Sequence, residues 1–177
     1  MMSDMQTPKE LNLPRYVEWV YTHSGVQKTL YAFSFASVIL TVLAFVCAGV
    51  YLAVSSWLSL LLYAITLFIP FVLVSVMRVW IDAKRPCLVY RSQGFDLPSK
   101  KQSRSMPSRH VFSAFSIGVS ICFFHWPLGA FVLLLGTLLA LGRVLLAIHF
   151  ARDVLVGAGI GILSGVVSGL IINNSLF

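Results

Sequence analysis

Charge is what this 177-residue chain has least of. Only 11% of its residues are Asp, Glu, Lys or Arg, while 58% are hydrophobic and the mean hydropathy is +0.88. A soluble domain carries about 25% charged residues, so the shortage excludes a water-soluble fold and leaves the bilayer as solvent. Cysteine is sparse as well. Cys47, Cys87 and Cys122 are scattered, with no C-x-x-C or His/Cys spacing for zinc and an odd count that suits no complete disulfide framework. No apolar stretch opens the chain: residues 1–27 are polar and mixed. No cleavable signal peptide is therefore expected, and insertion falls to the first membrane helix. Acidic residues are the rarest charges, six against thirteen Lys and Arg, for a net +7. Because the basic residues sit beside apolar runs, they point to phosphate or anionic lipid and away from nucleic acid.

What is present is a series of long uncharged runs. Five spans are expected, over Thr29–Val54, Trp57–Val79, Ser108–Phe124, Leu128–Ile148 and Val154–Ile172. At 1.5 Å per residue each covers most or all of a hydrocarbon core of about 30 Å. The expected fold is an all-α integral membrane bundle, one domain over residues 1–177. Pro70 is expected to kink the second span. Before the first, Pro14 opens a stretch with Tyr16, Val17, Trp19 and Val20 on one face and Arg15 and Glu18 on the other, the pattern of a short interfacial helix within residues 1–27. Residues 81–107 form the one long connection, with Pro86, Gly94, Pro98 and six Lys or Arg, and are expected to cap a site. The fifth span carries Gly157, Gly161, Gly165 and Gly169, a smooth stripe suited to close helix packing within the bundle or, alternatively, to a homodimer.

Following the spans across the membrane places three clusters on one face: Arg78-x6-Arg85-Pro86, Pro107-Ser108-Arg109-His110 and Arg143-x5-His149-x3-Asp153. All thirteen Lys and Arg fall on or near that face. Arg78 and Arg85, seven apart, share a helix face if the helix persists, and two guanidiniums make a bidentate phosphate clamp. Ser108 and Arg109 open the third span, where free backbone N–H groups favour an anion, and His110 lies one residue deeper, placed to protonate a leaving oxygen. If the last corner is helical, Asp153 stacks beside His149 and accepts its Nδ1–H, which leaves Nε2 free to attack. Arg143 braces the phosphoryl oxygens. Each cluster alone also has a structural reading, as an interfacial anchor, a helix cap, or an Arg152–Asp153 ion pair. Their order and common face favour phosphate chemistry. His23 and His125 carry no assigned role.

Together the clusters resemble the tripartite signature Lys-x6-Arg-Pro, Pro-Ser-Gly-His and Ser-Arg-x5-His-x3-Asp of the type-2 phosphatidic acid phosphatase superfamily, membrane lipid phosphatases similar in their core to vanadium haloperoxidases. The resemblance runs over roughly residues 70–170. Three positions depart from it: Arg78 stands for lysine, Arg109 for glycine and Gly142 for serine. The resemblance implies that His149 attacks phosphorus with Asp153 behind it, that His110 protonates the leaving group, and that Arg78, Arg85, Ser108, Arg109 and Arg143 hold the phosphoryl oxygens. It implies no metal or other cofactor. It also implies an extracytoplasmic site in a bacterial cell membrane, although the basic face by itself would point to the cytoplasm. The substrate class is a lipid phosphate or diphosphate: phosphatidylglycerophosphate, undecaprenyl diphosphate or phosphatidic acid. The rival class is a non-catalytic anionic-lipid binder or carrier, separated from an enzyme by binding without turnover.

Overall fold

In a bilayer, backbone N–H and C=O groups must be bonded within their own segment, so each apolar run folds as a helix. The computed structural model describes residues 13–92, 94, 97 and 103–176, and among these every regular element is helical. The elements are α1 (Arg15–Thr22), α2 (Ser24–Ser55), α3 (Trp57–Ile81), α4 (Pro86–Arg91), α5 (Arg109–Cys122), α6 (Trp126–Leu145) and α7 (Ala151–Leu176). Residues 1–12 and part of the 81–107 connection (93, 95–96 and 98–102) lie outside the described residues. The protein is an all-α integral membrane bundle.

Four helices, α2, α3, α6 and α7, are long and apolar enough to cross a membrane. The fifth expected span is shorter. α5 has 14 residues and rises about 21 Å, short of a core of about 30 Å. Burial explains why this suffices. Val111, Phe112, Ala114, Ser116, Gly118, Ser120 and Ile121 are all enclosed, so α5 runs through the middle of the bundle and meets protein rather than lipid.

The glycine stripe is what lets α5 in. A Cβ at Gly157, Gly161 or Gly165 would fall 2.7, 2.6 or 2.7 Å from the carbonyl oxygens of Ser108, Phe112 and Ser116, and one at Gly169 would strike the Phe123 ring. The four-residue period of α7 thus matches the four-residue period of α5, backbone against backbone. That face is buried inside the chain, so the stripe serves the first expected use, close helix packing within the bundle.

Small side chains perform the same task on α2, whose inward positions are Ser34, Ser37, Thr41, Ala44, Ala48 and Leu52. Hydroxyl pairs tie the bundle where no water is at hand: Thr66 to Ser168 at 2.7 Å, Ser120 to Ser168 at 3.0 Å and Ser59 to Ser175 at 2.9 Å. An apolar core around Leu52, Tyr63, Ile121, Val132 and Ile172 closes the end where α5 turns into α6.

At the other end α1 lies over the chain corner that leads into α7. Val17 and Val20 are buried while Tyr16 and Trp19 stay exposed, so the four residues expected on one face divide between protein and surroundings. Val17 packs with Cys87, Tyr90, Leu97 and Ala147, and the Tyr21 hydroxyl donates to the Leu146 carbonyl at 3.0 Å.

Candidate active site

The Arg143-x5-His149 spacing is a property of how α6 ends. The Arg143 carbonyl accepts from both Ile148 N–H (3.0 Å) and His149 N–H (3.1 Å), and Ala147 between them takes a left-handed backbone, φ 50°. For an L-residue that conformation costs roughly 1–2 kcal/mol. It is held from outside, since the Ala147 carbonyl accepts the Cys87 N–H at 3.1 Å. The corner is therefore a turn, and His149 precedes α7 instead of sharing a helix with Asp153.

Asp153 lies in the first turn of α7 and its Oδ2 accepts the Phe150 N–H at 3.1 Å, the reciprocal half of a capping box. His149 Nδ1 stands 3.7 Å from Oδ2, beyond hydrogen-bond length. Ser105 fills the interval. Its Oγ is 2.5 Å from Asp153 Oδ2 and 3.1 Å from His149 Nδ1. All three side chains are buried. Asp153 Oδ1 faces Arg152 Nε at 3.7 Å, so the structural ion pair exists beside the His149 arrangement and does not replace it.

Arg78 and Arg85 do not share a helix face. α3 stops at Ile81, Asp82 turns left-handed at φ 39°, and α4 begins only at Pro86. Tertiary contacts bring the two guanidiniums to one end of the bundle all the same. Arg78, buried, donates from Nη1 to the carbonyls of Ser105 (3.3 Å) and Pro107 (2.5 Å) and from Nη2 to that of Arg104. It thereby carries the segment that delivers Ser105 and Ser108. Arg85 donates from Nη1 to Ile148 O at 3.1 Å, one residue before His149.

α5 then brings in the third cluster. The Ser108 N–H donates to the Asp153 carbonyl at 2.9 Å, directly beneath the close approach at Gly157. Its hydroxyl is buried without a hydrogen-bond partner, as are Arg85 Nε and Arg143 Nε. Buried polar atoms in native folds are almost always paired, so these three donors mark room for an acceptor. The charges of Arg78, Arg85 and Arg109 lie within electrostatic reach of one another, Arg78 and Arg85 also within reach of Asp153, and Arg143 within reach of Arg85. Four cations against one buried carboxylate suit a multivalent oxyanion. Burial holds the His149 imidazole below its ordinary pKa of 6.5; the nearby Asp153 carboxylate opposes that shift, and Arg85 and Arg78 add to it. The shift favours the neutral ring.

Arg109 and His110 open α5 and line a cavity of about 590 Å³ between α2, α3 and α5. Its other walls are mostly apolar, with Val42, Phe45, Ile65, Phe68 and Ile117 among them beside the hydroxyl residues Thr41, Ser113 and Ser116. Val42, Ile65 and Phe68 are also exposed on the outside of the bundle, so the cavity continues onto the lipid-facing surface. His149 is not among its lining residues; the start of α5 links the two, since Arg109 lines the cavity and the neighbouring Ser108 N–H donates to the Asp153 carbonyl. Among the described residues, no three His, Cys, Asp or Glu side chains gather as a metal site.

The PAP2 superfamily model matches residues 56–176, two thirds of the sequence. The chain belongs to this family. Two solved structures share the PAP2 fold with it. One is LpxE of Aquifex aeolicus, with a TM-score of 0.64 and 21% identity over 89% of this chain and 96% of that one. The other is a PAP2-type phosphatidylglycerolphosphate phosphatase of Bacillus subtilis, with a TM-score of 0.60 and 22% identity over 90% and 92%. No curated protein sequence matches the chain.

Within this PAP2 chain the sequence clusters missed one participant, Ser105. It lies three residues before Ser108 and nothing in its spacing distinguishes it from other loop serines. At the departure Gly142, a Cβ would stand 3.3 Å from the Ser34 hydroxyl of α2, itself buried and without a hydrogen-bond partner. A neighbouring helix thus supplies a hydroxyl beside the position where serine is absent.

Proposed function

We propose that this chain is a lipid phosphatase that removes a terminal phosphate through a phosphohistidine. The observation that carries the reading is the cavity. Its apolar walls run out to the lipid-facing surface, and its only ionisable lining among the described residues is Arg109 and His110. A ligand matching both parts has long acyl or prenyl chains and an anionic phosphate head. Phosphatidylglycerophosphate, undecaprenyl diphosphate and phosphatidic acid all qualify, and the PAP2 relatives support the class.

In this reading Arg85, Arg109, Arg143 and the Ser108 hydroxyl hold the phosphoryl oxygens, with Arg78 adding its charge from behind the loop. His149 Nε2 donates its lone pair to phosphorus, and the bond from phosphorus to the leaving oxygen breaks. That oxygen takes a proton from His110. Water then attacks the phosphohistidine, losing a proton to His110, and releases inorganic phosphate and free His149. Preorganised cations stabilise the charge spread over the phosphoryl oxygens in both transition states. The proposed site faces the extracytoplasmic side of a bacterial membrane, as the family resemblance implies.

The test is phosphate release from the three lipids in detergent micelles containing a chelator and no added metal. The expected outcome is turnover of at least one lipid by the wild-type chain and none above background by His149→Ala. Wild-type rates in that variant would end the mechanism.

A further inference from the structure

We infer that Ser105 is a positioning residue that sets the tautomer of His149 and couples the imidazole to Asp153. The inference rests on the phosphatase reading for its catalytic meaning, and on geometry alone for the bridge itself. A hydroxyl has one hydrogen to give. Asp153 Oδ2 is only an acceptor, and the 2.5 Å contact from Ser105 Oγ is a charge-assisted hydrogen bond that takes that hydrogen. At the 3.1 Å contact with His149 Nδ1, Oγ has then only a lone pair to offer. Nδ1 must carry the ring proton, and Nε2 keeps the bare lone pair that attack on phosphorus needs. The direct His149–Asp153 separation of 3.7 Å leaves the serine as the connection.

The position is held from both sides of the backbone. The Ser105 N–H donates to Ala83 O at 2.8 Å, its carbonyl accepts from Arg78, and Arg104 before it is left-handed at φ 64°. Ser105 is fully buried, so no water competes for its hydroxyl. The charged groups bearing on His149 are Asp153 from α7, Arg85 from the segment before α4 and Arg78 from α3.

Two measurements on the full-length chain in micelles test the inference. Nitrogen-15 spectra of histidine-labelled protein, with His149 assigned by comparison with His149→Ala, read the tautomer without substrate. A protonated Nδ1 and bare Nε2 in the wild type are expected, and an Nε2–H tautomer would overturn the bridge. Kinetics of Ser105→Ala should show kcat about tenfold to a hundredfold lower, the loss of one hydrogen bond to a charged group, with KM within about threefold. The acid limb of kcat/KM should move to lower pH, because the imidazolium loses its bonded acceptor. Ser105→Thr, which keeps the hydroxyl, should recover most of kcat. A folded Ser105→Ala protein with wild-type kcat and pH profile would overturn the role. Absence of turnover in the wild type would count against the phosphatase reading and leave the bridge to the nitrogen spectrum.

Discussion

Arg78 illustrates how one guanidinium serves fold and site together. Its donors are spent on three carbonyls of residues 104–107, and hydrogen bonds from a charged donor contribute roughly 1.5–3 kcal/mol each. Arg78→Ala should therefore lower unfolding stability by about 3 kcal/mol or more, read by denaturation in micelles, and should reduce activity because Ser105 and Ser108 lose their support. Arg78→Lys keeps the charge but not the planar fork, and it should fall between the two in both measurements. His149 makes a second prediction. Its pKa is depressed chiefly by burial, so the neutral imidazole is favoured to lower pH than in a free histidine. An NMR titration of the substrate-free protein should place the His149 midpoint below 6.5; a midpoint at or above that value would contradict the buried geometry. Both residues were named from sequence spacing, and Asp153 was named beside His149, but neither the intervening Ser105 nor the carbonyls that hold Arg78 were. Arg78 was expected to face substrate directly and in fact reaches a loop 26–29 residues away.

The pairing of α5 with α7 is the contact on which the site is assembled. Gly157→Ala would put a methyl 2.7 Å from the Ser108 carbonyl, backbone that cannot swing aside. Overpacking of this kind costs typically about 1–3 kcal/mol, and here it also pulls Ser108 away from Asp153. A lower melting temperature and at least a tenfold loss of phosphate release are expected. Gly159, two residues on, has nothing within 4 Å of its would-be Cβ. Gly159→Ala should leave activity intact and stabilise α7 by up to about 1 kcal/mol through helix propensity. Equal effects from the two substitutions would refute the packing argument. The glycine period itself was readable in the sequence, but its partner was not: a four-residue stripe looks the same whether the approaching backbone belongs to α5 or to a second copy.

Across the bundle, the cavity between α2, α3 and α5 is the feature on which the proposed lipid substrate rests. Ala64 lies on its α3 wall. Ala64→Phe should narrow it and lower kcat/KM for a long-chain lipid phosphate at least tenfold relative to a short-chain soluble phosphate ester, measured side by side; an unchanged ratio would place the chains elsewhere. The long helices, their order and the gathering of three charged clusters at one end were legible in the linear sequence, whereas the short α4 inside the 81–107 connection was not. Hydropathy runs, Pro and Gly positions and charge asymmetry are local signals, and in a bilayer an apolar run has helix as its one satisfactory form. The number of full spans was not legible, because α5 escapes the length rule by being wrapped in protein. Nor was the Ser105 bridge. It depends on a left-handed turn at Ala147 that lifts His149 off α7, and on Arg78 gripping carbonyls far along the chain. Residue identities and periods set which chemical groups reach the charged end; the folded packing alone set which of them touch, because that contact is made by backbone atoms whose positions no side-chain pattern encodes.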